Sequence, residues 1–229
     1  MKVLLALLFC ILVASPQLNA QKKSELKTQK DKVSYIIGTD IGTNLKKQAI
    51  DISPELLLKG IKDALAGSKY LMTTEEITEC MTSYRQEMMG KQAEKMAKVG
   101  EANKKAGEAF LEANKKKDSI KVLPSGMQYK VIVEGTGKMP TANDTVTTNY
   151  RGTLIDGTEF DNSYKRGEPA TFGVKGVIAG WTEALQMMKA GSKWQLFIPP
   201  QLAYGDRGAG QVIGPNATLI FEVELISVK

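Results

Sequence analysis

The chain contains no histidine. That removes His-dependent nucleophile triads, His-ligated zinc and imidazole acid–base chemistry from the functions open to it. Cysteine is nearly absent as well: Cys10 and Cys80 are the only two. If Cys10 leaves with an N-terminal signal, Cys80 is unpaired and no disulfide can form within the chain. A buried free thiol is then expected in preference to an intermolecular link. No cluster of acidic or sulfur ligands stands out, so neither a metal nor a cofactor is expected.

Charge of one sign is not concentrated either. The net charge is +6, but across residues 91–118 Lys alternates with Glu and Asp. That interleaving suits a solvated surface better than a nucleic-acid patch, and no nucleic-acid partner is expected. The apolar run at residues 3–14 is too short to span a bilayer, which takes about 20 residues. Lys2 before it and a more polar stretch ending at Ala20 after it read as a secretory signal, cut near Ala20. The alternative, a lipoprotein signal at Cys10, would have a very short apolar core. The mature chain is expected to have no integral membrane span.

What remains divides into two halves with different periodicities. Val33, Ile36, Ile37, Ile41 and Leu45 recur at helical spacing, with Gly38 and Gly42 four residues apart on the same helix. Asp51 or Ser53 can cap a second helix with Pro54 in its first turn, Leu56, Leu57, Leu58, Ile61 and Leu65 on its apolar face, and Gly67 as its stop. Thr73 or Thr74 opens a third segment running to about Lys117, with Glu75 and Glu76 near the positive end of the helix dipole. Beyond Lys91 it is rich in Ala, Glu and Lys, and reads as a solvent-exposed stalk. The two shorter helices carry more Leu and Ile than they can bury by themselves, which predicts a homodimer through residues 30–90.

Near Pro124, Ser125 and Gly126 the pattern changes. Val146, Thr148, Tyr150, Gly152 and Leu154 alternate with polar residues, as do Leu219, Phe221, Val223 and Leu225, and this is the period of strands. Residues 182–188 read as one short helix, stopped by Gly191. The fold class is α+β: a C-terminal antiparallel β-sheet with one short α-helix against it, preceded by an all-α region with a long helix.

Three stretches carry a more specific signal: VTTNYRGTLIDGTEFDNSY, GVIAGWTEALQMMKAGSKWQLFIPPQLAYGDRGAG and NATLIFEVELISVK. Together they closely resemble the FKBP-type peptidyl-prolyl isomerases. The resemblance implies a twisted sheet wrapped around the short helix, with a proline-binding pocket between them. It assigns Tyr150, Phe160, Asp161, Ile178, Trp181 and Tyr204 to the catalytic set. Asp161 is expected to be a buried carboxylate, Trp181 the floor, and Tyr204 and the Ile178 N–H the groups that hold a substrate carbonyl. Arg166, Phe172, Val177, Val212, Ile213 and Phe221 complete the substrate-binding walls. Macrolide inhibitors are implied as ligands. The GDRGAG stretch lacks the Lys and Ser/Thr of a P-loop and reads as a flexible loop beside the pocket. Ala170, Ala209 and Gly214 depart from the residues common in the family.

The helical half, with VSYIIGTDIGTNLKKQ, LLLKGIKDALAG and NKKAGEAFLEANKKK followed by LPSGMQYKVI, looks like the macrophage-infectivity-potentiator and FkpA group of exported bacterial FKBPs. The implied organisation is a signal peptide at 1–20, a helical dimerisation domain and long connecting helix at 21–120, and an isomerase domain at 121–229. The implied location is the periplasm or the outer cell surface, with proline-containing unfolded or partly folded exported proteins as partners. A dimeric holdase chaperone with secondary isomerase activity is the alternative.

Overall fold

The computed structural model describes residues 26–229. The expected signal peptide at 1–20, its cut near Ala20 and Cys10 lie outside these residues. The chain separates into two units between Thr73 and Thr74.

The first unit carries α1 (Gln29–Lys47) and α2 (Pro54–Ala66). A reciprocal capping box opens α1: the Thr28 hydroxyl accepts from the Asp31 N–H (3.1 Å) while the Asp31 carboxylate accepts from the Thr28 N–H (2.8 Å). Lys46 and Lys47 occupy its last turn, favourable to the helix dipole. Of the two cap candidates for α2, Ser53 is the one used. Its hydroxyl accepts from the Leu56 N–H, Pro54 follows, and Gly67 closes the helix at φ +63°. Neither helix buries a residue. Leu56 and Leu65, on the apolar face of α2, are 64% and 84% exposed.

The second unit begins with α3 (Thr74–Asn114), a helix of 41 residues. Glu87–Lys91 and Glu94–Lys98 ion pairs at i,i+4 spacing support its middle. Cys80 is exposed, contrary to the expectation of a buried thiol, because no residue of α3 before Gly100 is buried. The stalk expectation also needs correction. From Gly100 onward one face of α3 is packed: Gly100, Gly107 and Asn114 are buried, and their seven-residue spacing keeps them on one side of the helix. The packing combines small and polar residues with Phe110, whose ring lies 5.9 Å from that of Phe197. A Cβ on Gly107 would come within 2.3 Å of the Thr218 hydroxyl oxygen. Asn114 donates to the Gln128 side chain (3.0 Å), and Gln128 donates to the Leu111 carbonyl (2.9 Å).

The sheet is formed by β1 (Lys121–Val122), β2 (Gln128–Val133), β3 (Thr145–Leu154), β4 (Glu159–Asn162), β5 (Ala170–Gly173), β6 (Lys193–Ile198) and β7 (Leu219–Val228). Every pairing is antiparallel, in the order β1-β2-β6-β7-β3-β4, and β5 pairs with the first part of β3. The Pro124-Ser125-Gly126 stretch is the turn of the β1–β2 hairpin, closed by the Gly126 N–H to the Leu123 carbonyl (2.9 Å). Val146, Thr148, Tyr150 and Gly152 of β3 are buried, as are Leu219, Phe221, Val223 and Leu225 of β7. Both alternations read in the sequence therefore mark the core face.

Between β4 and β5 lies a single helical turn, α4 (Ser163–Arg166), capped by Asn162. The short helix against the core is α5 (Ala179–Leu185), three residues earlier than expected. Its N-cap is Ile178, which offers no side-chain cap. Thr182 does not open the helix; its hydroxyl donates to the Val174 carbonyl instead (2.7 Å). Trp181, Ala184 and Leu185 of α5 are buried against Ile198, Leu219, Phe221 and Val223 in one cluster.

Candidate functional site

One cavity of about 660 Å³ opens between α5, the β3–β4 edge and the segment 204–213. All of the expected site residues except Arg166 line it: Tyr150, Phe160, Asp161, Phe172, Val177, Ile178, Trp181, Tyr204, Val212, Ile213 and Phe221. Arg166 stands behind it, hydrogen-bonded to two of the lining side chains. The sequence reading did not single out Gly176 and Gln211, which also line the cavity, and placed Ala209 and Gly210 in a loop beside it without assigning either to its wall. Residues of this kind give no chemical signal on their own. Ala170 packs against the core and does not line the cavity.

The floor follows from α5. Two residues into this helix, Trp181 is delivered to the centre of the sheet, where it is 4% exposed. Three rings meet it edge-on: Tyr150 at 5.1 Å, Phe221 at 5.3 Å and Phe172 at 5.9 Å between centroids. Such T-shaped contacts bring the positive ring edge to the negative ring face. The buried indole N–H has no hydrogen-bond partner among the described residues. Phe160 closes one wall against Phe221 (5.4 Å, 82°). Gly152 makes this possible, since a Cβ there would lie 2.5 Å from the Phe160 ring.

The polar side of the cavity is a closed triangle. The Tyr150 hydroxyl donates to Asp161 (2.6 Å), Arg166 donates to the Tyr150 hydroxyl (2.8 Å), and Arg166 is ion-paired with Asp161. The guanidinium also lies 5.3 Å from the centre of the Tyr150 ring. Burial opposes the Asp161 charge, but hydrogen bonds from Tyr150 and Arg166 outweigh it and hold the carboxyl below its ordinary range. For Tyr150, burial and the Asp161 hydrogen bond push the phenol up. Asp161 is not the buried carboxylate expected: its side chain is 39% exposed, because β4 lies at the sheet edge. With Tyr150, Arg166 and the Asn162 N–H as donors, it is suited to orient its neighbours.

The rim is formed by residues 204–213. Tyr204 is 40% exposed, and its hydroxyl has no hydrogen-bond partner among the described residues. The loop read as flexible is closed by a two-bond bridge, Ala209 N–H to Ile213 carbonyl (2.8 Å) and Ile213 N–H to Ala209 carbonyl (3.2 Å). Among the described residues no group of three or more Cys, Asp and Glu could hold a metal ion. The cavity is thus an aromatic cup with one charge-neutral polar corner and an unengaged hydroxyl at its mouth. Such a site suits an apolar ring and an adjoining carbonyl.

Comparison with known proteins agrees with this geometry. Residues 136–226 match the profile of the FKBP-type peptidyl-prolyl cis-trans isomerase, and residues 30–131 match that of the domain amino terminal to it. The outer membrane protein MIP of Legionella longbeachae is 50% identical over 218 residues, 95% of this chain and 94% of that protein. The peptidyl-prolyl cis-trans isomerase Mip of Coxiella burnetii is 49% identical, over 92% of this chain and 91% of its own. The crystal structure of FkpA from Escherichia coli superposes with a TM-score of 0.70 at 39% identity, covering 89% of this chain and 98% of that one. The aromatic cup, the paired domain matches and likeness to Mip and FkpA proteins along most of the sequence together establish that the chain belongs to the FKBP-type peptidyl-prolyl cis-trans isomerase family.

Proposed function

We propose that the protein is a peptidyl-prolyl cis-trans isomerase acting on exported proteins, with the cup around Trp181 as its active site. The observation that carries this reading is the meeting of Tyr150, Phe172 and Phe221 edge-on at the Trp181 indole, beneath an open mouth.

The barrier to rotation about an Xaa–Pro bond is roughly 18–20 kcal/mol and comes from amide resonance. The planar amide separates charge and is well solvated by water, whereas twisting removes the resonance and part of that separation. A cup walled by Phe160, Ile178 and Trp181 withdraws water from the planar form and accepts the twisted one preferentially. Tyr204 and the Ile178 N–H hold the substrate carbonyl. Phe172, Val177, Val212, Ile213 and Phe221 enclose the proline ring. Asp161 fixes Tyr150 and Arg166 and removes no proton, since the reaction needs none removed. A millionfold acceleration takes about 8 kcal/mol, which several modest contributions can supply, so no single residue is indispensable.

In this reading residues 21–120 form the dimerisation and connecting region and residues 121–229 the isomerase domain. The exposed Leu and Ile of α1 and α2 support a homodimer through residues 30–90. They also support a second role, in which that apolar surface holds unfolded chains and isomerisation is secondary. Similarity to an outer membrane protein supports a periplasmic or outer-surface location. Among the described residues no helix is long and apolar enough to cross a membrane.

The deciding experiment follows cis–trans exchange of an Ala-Leu-Pro-Phe peptide with and without a macrolide. Fast exchange abolished by the macrolide is expected. A folded protein with no exchange would sink the enzyme reading and leave the holdase. Removing residues 21–98 separates the two roles: peptide exchange survives, and suppression of aggregation is lost.

A further inference from the structure

The rim of the cup is tied to a helix that lies outside the matched isomerase domain. The Asn103 side-chain amide, on α3, donates to the Pro215 carbonyl (2.8 Å). Pro215 follows Ile213 and Gly214, and Ile213 lines the cavity and is bridged to Ala209. The next residue, Asn216, is held at φ +56°. Its N–H donates to the Gly205 carbonyl (2.7 Å), directly after Tyr204, and its side chain reaches the Gly100 carbonyl (3.4 Å). Both arms of the rim therefore converge on the two residues that α3 grips. Gly214 admits the grip: a Cβ there would lie 3.0 Å from the Asn103 amide nitrogen and 3.2 Å from Val99.

We propose that Asn103 is a positioning residue for substrate binding, acting through Pro215 and Asn216 to set the placement of Tyr204 and Ile213. This inference rests on the isomerase reading of the cup. Asn103 does not line the cavity and lies outside the residues that match the isomerase profile, 136–226. Its hydrogen bond spans from the helix to a loop carbonyl whose neighbours form the mouth. Without that bond the segment 213–216 keeps one longer hydrogen bond to α3, from Asn216, beside the packing of Pro215 on Gly100 and of Gly214 on Val99. The rim samples more positions, and substrate must then order it on binding. The cost appears as weaker binding, not as altered chemistry in the floor, where Trp181 and Tyr150 are untouched.

The test compares full-length wild type with Asn103→Ala, Asn103→Asp and Asn114→Ala. The Asp variant keeps the size of the side chain and removes the donor. Asn114→Ala breaks the same helix's bond to Gln128, far along α3 from the rim. Backbone amide shifts of Tyr204 and Ile213, KM and kcat on the proline peptide, and Tm are measured for each. Both Asn103 variants are expected to displace the two rim amides and raise KM by about three- to tenfold, with kcat changed less. Asn114→Ala is expected to lower Tm without doing either. Asn103 variants with a lower Tm but wild-type rim shifts and KM would overturn the proposal, as would an Asn114→Ala variant that moved the rim and KM equally. If wild type shows no exchange at all but Asn103→Asp still displaces both amides, the isomerase reading fails and the positioning role stands.

Discussion

The Trp181 indole stands perpendicular to the Tyr150 ring, with centroids 5.1 Å apart. The two residues come from different elements, α5 and β3, so this contact joins the helix to the sheet at the bottom of the cup. Replacing Trp181 with Leu keeps the site apolar but removes three edge-on ring contacts. The variant is expected to lose about 1–3 kcal/mol of stability. Its exchange rate should fall roughly tenfold without vanishing, because the remaining walls still exclude water. Urea unfolding and peptide exchange on one preparation check both numbers.

Asp161 and Tyr150 make a joint prediction about pH. The folded Asp161 carboxyl is depressed: burial opposes its charge, but hydrogen bonds from Tyr150 and Arg166 prevail. Its contribution to stability is present above the ordinary carboxylate value and lost as pH falls through the folded one. The Tyr150 phenol is raised, first by burial, so its contribution is present below the ordinary phenol value and lost as pH rises through the folded one. Glu159, held down to about 2 by hydrogen bonds from Lys165, Arg151 and Asn162, behaves as Asp161 does. With no histidine in the chain, kcat/KM is expected to be flat between about pH 5 and 9, with stability lost on the acid side. A bell-shaped profile inside that range would contradict the mechanism.

The same corner predicts a graded response to Asp161→Asn. The change removes the charge facing Arg166 but keeps an acceptor for the Tyr150 hydroxyl. A several-fold fall in kcat/KM is expected, read by peptide exchange on protein whose circular dichroism is unchanged. Complete loss in a folded variant would imply a proton-transfer role that the mechanism does not contain.

Gly38 and Gly42 test the dimer. In the single chain a Cβ at either position meets no atom within 4 Å. Helix propensity alone then predicts that Gly38→Ala strengthens α1 by about 1 kcal/mol. If a second copy packs against these glycines, the double substitution to Ala instead weakens association, and sedimentation equilibrium shows a larger monomer fraction. A stable dimer carrying both changes would move the interface away from this face.

Residues 100–114 also make the choice of fragment consequential. A piece starting at residue 98 retains the Asn103, Asn114 and Gln128 hydrogen bonds and the Gly107–Thr218 contact. A piece starting at residue 121 loses them. The longer fragment is expected to melt higher by roughly 5 °C or more, as measured by differential scanning calorimetry.

The legible parts of the sequence were those where side-chain chemistry repeats. Apolar residues at every second position in β3 and β7 marked the core face, and the aromatic residues marked the cup. The docked face of α3 was not legible, because its fully buried positions, Gly100, Gly107 and Asn114, do not register as apolar, although Phe110 also docks there, with its ring 5.9 Å from that of Phe197. The start of α5 was missed for a related reason: Ile178 caps it without a side-chain bond, while Thr182, a plausible cap by type, spends its hydroxyl on Val174. The exposure of Cys80 reflects what α3 packs against, which residue type alone does not encode.

That α1 and α2 bury nothing has a thermodynamic consequence. Two short helices without an interior have almost no folding free energy of their own. In the proposed homodimer their order is drawn from association, and folding of this unit is then second-order in protein. Its melting temperature should rise with concentration, while that of the β-sheet unit, which carries its own core, should not. Dilution would then dissolve the N-terminal helices and leave the aromatic cup intact, so that any activity residing in the apolar helices fades with dilution while peptide exchange per molecule stays constant.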